Sequence, residues 1–271
     1  MKGTRQAVIV TGGTFGIGRA ITLRLAERGY LVTAFGLETR QMSSTAEAAI
    51  PDLQAELERR GLQAELLEAD VSSASDVARV VEQTLSRHGQ IYGLINNAAI
   101  GPLGTVLDTD EATFDHILNV NLKGTYLCSR AVLPHMINAG GGTIINIGSG
   151  AGWGKPNMAA YSASKGGIFA LGAAMAYDFL HQHIRVNTVV PGGGGIISGM
   201  SLGRVGADST RLGIGAPGTA AGRCANGDDV ANVVAFLLSE DAEAISGTVV
   251  DVGCFAHQGG PVPARPITSH L

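Results

Sequence analysis

The sequence AVIVTGGTFGIGRAI, from Ala7 to Ile21, decides the fold. An apolar run at Ala7–Thr11 leads directly into a turn with glycines at positions 12, 16 and 18, and a helical pattern follows. Missing side chains let the backbone approach a phosphate, and the N–H groups and dipole of the next helix favour its negative charge. A tight strand-helix connection without a ligand would use the same glycines. Their position after the first strand favours a dinucleotide pyrophosphate site.

Short apolar runs alternate with helical patterns along the rest of the chain. The runs lie at Leu31–Phe35, Glu65–Val71 and Gly93–Ala99, and continue as TIINIG, IRVNTVV and GTVVDVG. They are continuously apolar, as strands covered on both faces must be. The order predicts an α/β fold: a Rossmann-type, doubly wound parallel sheet of about seven strands with helices on both faces.

Length and composition predict a single domain over residues 1–271. A Gly-rich segment at 192–227 is too polar to build its own core and is interpreted as a mobile loop over the substrate. The segment 259–271 contains three prolines and no periodicity, so we expect an extended C-terminal arm.

Charge and cysteine usage exclude several classes of function. A net charge of −4 leaves no basic stripe for nucleic acid or an anionic membrane. Cys128, Cys224 and Cys254 are far apart and lack metal-site spacing, which argues against a disulfide framework or a metal site. No signal peptide is evident, and the most apolar stretch, Gly166–Leu180, predicts a buried helix rather than a membrane span. We expect a cytoplasmic protein with a small-molecule partner.

Tyr161 and Lys165 lie four residues apart, on one face of a helix predicted from about Asn157 to His181. Alcohol oxidation by hydride transfer also releases a proton, and an unperturbed tyrosine with a pKa of ~10 is a poor base at neutral pH. A nearby lysine cation favours tyrosinate, which suits Tyr161 as acid and base. Such a pair taken alone is usually an ordinary helix-surface or core pair.

Seven motifs in order remove that ambiguity. They are TGGTFGIG, Asp70 in DV, NNAA at Asn96–Ala99, NVN around Val120, IGSG around Ser149, YSASK at Tyr161–Lys165 and PGG at Pro191–Gly193. The series resembles the short-chain dehydrogenase/reductase family from the N-terminus to about Gly253. The resemblance implies an NAD(P)-dependent oxidoreductase acting on a secondary alcohol or ketone.

The resemblance also implies roles for individual residues. The catalytic set is Asn121, which holds a proton-relay water, Ser149, which binds the substrate oxygen, Tyr161 and Lys165. Substrate contacts are assigned to Ser149, Trp153 and Tyr161, because ligands of open α/β sheets bind beyond the carboxyl ends of the strands. A purely structural interpretation of Asn96 and Asn97, as partners of buried backbone groups, stays open. The expected cofactor site comprises Gly12, Thr14, Phe15, Gly16, Ile17, Gly18, Leu37, Glu38, Asp70, Val71, Asn97, Ala98, Tyr161, Lys165, Pro191 and Gly192.

Three departures from the family pattern affect these expectations. Ser149 and Tyr161 are one residue closer than in many members, and Ile196 occupies the usual threonine position after PG. Members that use NADP commonly carry basic residues where this chain has Phe15 and Leu37. Glu38 would repel a 2′-phosphate, so NAD is favoured over NADP, with Arg40 as the opposing group.

Two further expectations concern assembly and alternatives. Small residues at Gly166, Gly167, Ala170, Gly172, Ala173 and Ala174 would let the Tyr161 helix approach another helix closely, and relatives use this face to form dimers and often tetramers. We therefore expect a homodimer or homotetramer. A cofactor-sensing regulator on the same fold is the main alternative, although it would need no proton-transfer residues.

Overall fold

The computed structural model describes residues 5–37, 49–192, 196, 201, 208–211 and 218–253. A single seven-stranded sheet organises them, with all six strand pairs parallel. The strands are β1 Ala7–Thr11, β2 Leu31–Gly36, β3 Glu65–Glu68, β4 Gly93–Asn96, β5 Gly142–Ile147, β6 Ile184–Pro191 and β7 Val249–Val252. Their spatial order is β3-β2-β1-β4-β5-β6-β7. The predicted Rossmann-type sheet is confirmed.

Seven α-helices connect and cover these strands within the described residues. They are α1 Gly16–Glu27, α2 Ala49–Arg59, α3 Ala74–His88, α4 Glu111–Leu118, α5 Gly124–Asn138, α6 Ala159–Asp178 and α7 Gly227–Leu238. A π-helical turn, Asn119–Lys123, joins α4 to α5, and a 3₁₀ turn, Gly150–Trp153, follows β5. Further 3₁₀ turns occupy Leu180–Gln182, Ser209–Arg211 and Glu240–Ala242.

Two apolar layers sandwich the sheet, and successive strand residues alternate between them. Ile9, Leu94 and Ile144 pack with side chains of α3, α5 and α6. Their neighbours Ile95 and Ile145 point the other way, toward α1 and α7. Because both faces are covered, both sets of side chains must be apolar, which explains the unbroken apolar runs in the sequence.

The strand order reverses at β1, because β2 lies on one side of it and β4 on the other. Connections from β1 and β4 leave in opposite directions and open a crevice at their carboxyl ends. Thr11 ends β1 and Asn96 ends β4 at this edge. The topology therefore predicts a ligand site beside the residues that follow Thr11 and Asn96.

Helix α6 departs from the prediction that Gly166–Leu180 is buried. Ile168, Met175 and Ala176 are buried, whereas Ala170 and Tyr177 are exposed. The helix is an outer layer that buries one face and exposes the other. Its many alanines make the sequence apolar, although the exposed face is not packed against another element of the described structure. Burial of the whole stretch was therefore a wrong prediction.

The two segments predicted to be irregular lie largely outside the described residues. Of 192–227, the structure describes 192, 196, 201, 208–211 and 218–227, and the arm at 259–271 is outside the description. Gly227 belongs to α7, whose capping box is formed by Asn226 and Asp229. The predicted loop is therefore one residue too long at its carboxyl end.

Candidate active site

The glycine turn after β1 forms a cradle of backbone atoms. Gly12 and Gly16 have φ angles of +58° and +57°, a region that glycine enters without steric cost. A Cβ on Gly18 would lie 1.9 Å from the Gly12 carbonyl oxygen, so no other residue fits there. Phe15 is the N-cap of α1 but gives no side-chain cap, and the first turn holds no acidic residue. This uncapped helix end fits the pyrophosphate of a dinucleotide.

Asn97, which follows β4, and Thr11, at the end of β1, hold the cradle in place. The Asn97 amide nitrogen donates to the carbonyl oxygens of Thr11 and Gly12, both at 3.0 Å. The Thr11 hydroxyl accepts from the backbone N–H groups of Asn97 and Ala98 at 2.9 and 3.0 Å. Asn97 thus satisfies buried backbone groups, as the structural interpretation predicts. Asn96 does not, because its amide donates to the side chains of Ser129 and Asn146.

The ends of β2 and β3 border the same crevice. Asp70 follows β3, and its carboxylate accepts from the backbone N–H and hydroxyl of Ser72, both at 2.8 Å. Its own backbone N–H donates to Asp76, and this bond is the main cause of the lowered pKa of the Asp76 carboxyl. Val71, the next residue, is buried.

At the end of β2 the described residues are Gly36 and Leu37, neither of which carries a polar side chain. A Cβ on Gly36 would approach the hydroxyl oxygen of the buried Thr14 to 3.0 Å, and Leu37 is half exposed. Leu37 and Phe15 occupy the two positions at which NADP-using relatives commonly carry basic residues, and Phe15 is also exposed. Glu38 and Arg40 lie outside the described residues. Ile17 in the first turn of α1, and Pro191 and Gly192 at the end of β6, are half-buried.

Tyr161 and Lys165 meet on the buried face of α6. They are 7% and 2% exposed, and the Lys165 Nζ lies 5.7 Å from the centre of the Tyr161 ring. The Nζ donates to the Ile147 carbonyl oxygen at 2.7 Å, at the end of β5. Burial lowers the pKa of the Lys165 ammonium to about 8, because desolvation disfavours the charged form. An ammonium with this pKa is mostly protonated at neutral pH, and it lies beside the Tyr161 ring.

Asn121 is completely buried in the π-helical turn between α4 and α5. Its side-chain oxygen accepts from the Ile100 N–H at 2.8 Å, and its nitrogen donates to the Ile100 carbonyl at 2.9 Å. The same nitrogen donates to the Ser164 hydroxyl at 3.0 Å. These bonds fix the amide beside α6. Single π-helical turns inserted between α-helices are frequent at functional sites.

Ser149 follows β5 and begins the 3₁₀ turn Gly150–Trp153. Its hydroxyl oxygen accepts from the Ala151 N–H at 3.2 Å and remains able to donate its hydrogen elsewhere. Between Ser149 and Tyr161 the chain passes through this turn and through Asn157, whose φ is +59°.

Trp153 ends this turn at a half-exposed position. Its ring lies 4.6 Å from that of Phe169, centroid to centroid, with the planes tilted by 32°. Met158 is buried in a small cluster with Ala151 and Tyr161. Ala151 and Met158 therefore bring apolar surface to the Tyr161 side chain.

Two residues near the site were missed by sequence reasoning. The Ser164 hydroxyl accepts from the Asn121 side chain and donates to the Tyr161 carbonyl oxygen at 2.7 Å. It therefore connects the π-helical turn that carries Asn121 to the helix that carries Tyr161. Phe169 packs against the Ser149 segment. Ser164 was visible in YSASK, three residues after Tyr161. No sequence signal distinguished Phe169 from an ordinary core residue.

The described part of the chain contains no group of three or more His, Cys, Asp or Glu side chains able to hold a metal ion. Within those same residues, every helix is too short or too polar to cross a membrane.

Comparisons with known proteins agree with this geometry. The family model for short chain dehydrogenases matches residues 6–200. The chain is 36% identical over 266 residues to 2-(S)-hydroxypropyl-CoM dehydrogenase 3 of Xanthobacter autotrophicus, covering 94% of this chain and 96% of the relative. It is 32% identical over 253 residues to the 3-oxoacyl-(acyl-carrier-protein) reductase FabG of Staphylococcus aureus (strain Mu50), covering 93% and 98%.

A solved structure extends the agreement to three dimensions. The crystal structure of gox2181 superposes with a TM-score of 0.81 at 28% identity, covering 94% of this chain and 96% of the other. The family match spans most of the chain and contains the cradle, Asn121, Ser149, Tyr161 and Lys165. This protein belongs to the short-chain dehydrogenases/reductases and is a nicotinamide-dependent oxidoreductase that acts on CH–OH or keto groups.

Proposed function

We propose that the site interconverts a secondary alcohol and its ketone, with Tyr161 as the group that gives or takes the proton. The observation that carries this assignment is the buried Tyr161–Lys165 pair, with the ammonium 5.7 Å from the ring centre. The bound nicotinamide supplies or accepts the hydride. In the oxidising direction Tyr161 accepts the hydroxyl proton, and in the reducing direction it donates a proton to the carbonyl oxygen.

Ser149 and Asn121 support that transfer in different ways. The Ser149 hydroxyl donates a hydrogen bond to the substrate oxygen and stabilises the charge that develops there. Asn121 is fixed by Ile100 and Ser164 and holds the water that relays the proton from Lys165. A cofactor-sensing regulator would need neither group, and no observation favours that alternative.

The cofactor assignment rests on the cradle and on the crevice beside it. The backbone of Gly12, Gly16 and Gly18 would hold the pyrophosphate at the N-terminus of α1. Asp70 and Val71 would border the adenine. We propose NAD in preference to NADP, because Phe15 and Leu37 bring no cation to the adenosine ribose and Glu38 follows directly in sequence. The kcat/KM ratio for the two cofactors tests this preference. A higher value with NADP(H) would make Arg40 or another donor the deciding group.

The substrate class is a secondary alcohol or ketone with an apolar part. The names of the two curated relatives describe a 2-hydroxypropyl and a 3-oxoacyl group, each with the reacting oxygen on an internal carbon. In this chain Met158 and Trp153 add apolar surface beside Tyr161 and Ser149. We infer that Trp153 contacts the substrate from the open side.

An exposed apolar groove between the π-helical turn and α6 supports self-association. The groove encloses about 450 Å³ and is lined mainly by Leu118, Leu122, Tyr126, Gly167 and Leu171. Of the six small residues expected to face a partner, Ala170, Ala173 and Ala174 are exposed, while Gly172 lies against Asn146 and Thr188. We propose a homodimer or homotetramer built on this face. Light scattering of Ala170→Arg, compared with the unaltered chain, tests it.

Two broader assignments complete the proposal. The continuous sheet from β1 to β7 supports one domain over residues 1–271. The buried free thiol of Cys128, whose pKa burial raises to about 12, suits a reducing cytoplasm, where cell fractionation should find the protein.

The deciding experiment is a screen of secondary alcohols with NAD and NADP, and of ketones with NADH and NADPH, following absorbance of the reduced nicotinamide. Tyr161→Phe should lose nearly all turnover yet bind cofactor normally, because only the hydroxyl is removed. Tyr177→Phe is the matched control, since Tyr177 is 83% exposed on the same helix. Near-normal turnover of Tyr161→Phe would refute the role of the hydroxyl.

A further inference from the structure

Phe169 contacts the Ser149 segment on both sides of the serine. Its ring carbon Cε1 lies 2.7 Å from the position that a Cβ on Gly148 would take. Its Cε2 and Cζ lie 2.4 and 2.8 Å from the corresponding position on Gly152. Both positions must be glycine for the ring to sit there. The ring thus occupies the space that side chains before and after Ser149 would fill.

The same ring also supports Trp153, the residue that follows Gly152. The centroids are 4.6 Å apart, within the range of favourable aromatic pairs. One side chain therefore contacts the segment at Gly148, Gly152 and Trp153, and Ser149 lies between these contacts.

Phe169 belongs to the helix that carries the proton-transfer pair. It follows Lys165 by four residues and Tyr161 by eight, so the three side chains lie along one broad face of α6. Lys165 binds the Ile147 carbonyl just before Gly148, and a Cβ on Gly166 would lie 3.0 Å from the Gly152 carbonyl oxygen. Side chains and backbone of α6 thus contact Ile147, Gly148, Gly152 and Trp153. The distance between Ser149 and Tyr161 is consequently set by packing on one helix.

We propose that Phe169 is a positioning residue that fixes the Ser149 hydroxyl relative to the Tyr161 hydroxyl, and that orients Trp153 at the substrate entrance. The inference rests on the proposed function, in which both hydroxyls bind the same substrate oxygen. Loss of the planar ring lets the glycine-rich segment move, and misplacement by about 1 Å lowers a rate by up to a hundredfold.

Phe169→Leu tests this role, with Phe179→Leu as the matched control. Phe179 lies at the end of the same helix and packs against the apolar core on the α3, α5 and α6 side, away from Ser149. Each variant loses comparable apolar packing. Trp153 is the only tryptophan in the chain, so its fluorescence reports on this segment without reference to activity.

For Phe169→Leu we expect kcat to fall about tenfold to a hundredfold, with an unchanged cofactor Kd by calorimetry. Its tryptophan emission should shift to the red and become more accessible to acrylamide. Phe179→Leu should keep the kcat and the emission of the unaltered protein, with a similar loss of thermal stability. Should Phe169→Leu fail to fold, Phe169→Met fills the site with a flexible apolar chain and gives the same comparison.

Equal kcat values for Phe169→Leu and Phe179→Leu would overturn the positioning role, whether or not the emission changes. A fall in kcat with unchanged tryptophan emission and quenching would also overturn it, because the segment would not have moved. Absence of turnover in the unaltered protein with every alcohol and ketone would instead overturn the proposed function and the inference that rests on it. The turnover of the unaltered protein therefore distinguishes failure of the proposed function from failure of the positioning role of Phe169.

Discussion

Replacing Lys165 by methionine should abolish turnover. It should also remove one contribution to the pH dependence of the free energy of unfolding. Lys165 is 2% exposed, and the hydrogen bond of its ammonium to the Ile147 carbonyl oxygen does not compensate for desolvation, since its pKa is lowered to about 8. Methionine fills a similar volume without charge. Lys165 also belongs to the expected cofactor site, so the variant should bind cofactor more weakly as well.

The sign and size of the effect follow from the pKa difference. An unfolded lysine keeps its proton up to a pKa of ~10.4, whereas folded Lys165 loses it near pH 8. Between these values the unfolded state binds more protons, so stability rises with pH. At about 1.4 kcal/mol per pKa unit, raising the pH from about 7 to about 9.5 should stabilise the unaltered protein by about 2 kcal/mol relative to Lys165→Met.

Urea unfolding of the cofactor-free proteins at both pH values measures this difference directly. Groups that titrate in both proteins cancel in the comparison. Lys155→Met is the control, because it removes a lysine at an exposed position outside the buried pair. If Lys165→Met and the unaltered protein keep the same stability difference at both pH values, the ammonium is not desolvated as described.

Two further changes test other parts of the site. Ser149→Ala should lower kcat by about a hundredfold to a thousandfold with little change in cofactor Kd, as loss of an oxyanion donor does. Ser86→Ala, at an exposed position near the carboxyl end of α3, should keep full kcat, and an unchanged kcat in Ser149→Ala would make that serine merely structural. Gly18→Ala introduces a Cβ 1.9 Å from the Gly12 carbonyl, so it should disrupt the cradle and weaken calorimetric binding of NAD(H); normal affinity would contradict the assigned phosphate site.

The sequence predicted those features that depend on local pattern. Apolar runs of the right length specified the strands, and a four-residue spacing was enough to put Tyr161 and Lys165 on one face of α6. The glycines of the cradle were recognisable because their backbone conformations and close contacts exclude side chains. Each of these constraints acts within a few neighbouring residues.

Features that depend on contacts between distant residues were not predictable in the same way. The bonds from Asn121 to Ile100 and Ser164 join three elements, and the π-helical turn that carries Asn121 has no signature in composition. The contact of Phe169 with Gly148 and Gly152 likewise appears only when β5 and α6 pack together. One face of α6 is exposed because no further layer of the described structure packs on it. The number of layers around a sheet cannot be derived from the hydropathy of one helix.

The site divides its anchoring between backbone atoms and side-chain packing. Lys165, Asn121 and Asn97 are bound to backbone groups of Ile147, Ile100, Thr11 and Gly12, so the sheet and its loops fix these three directly. Ser149 lies in a glycine-bounded segment that rests on the Phe169 ring. Backbone anchors tolerate changes in surrounding side chains, whereas a packed segment moves when its support changes shape. Substitutions around Phe169, Trp153 and Met158 should therefore alter substrate choice while leaving the Lys165 hydrogen bond and the cofactor cradle intact.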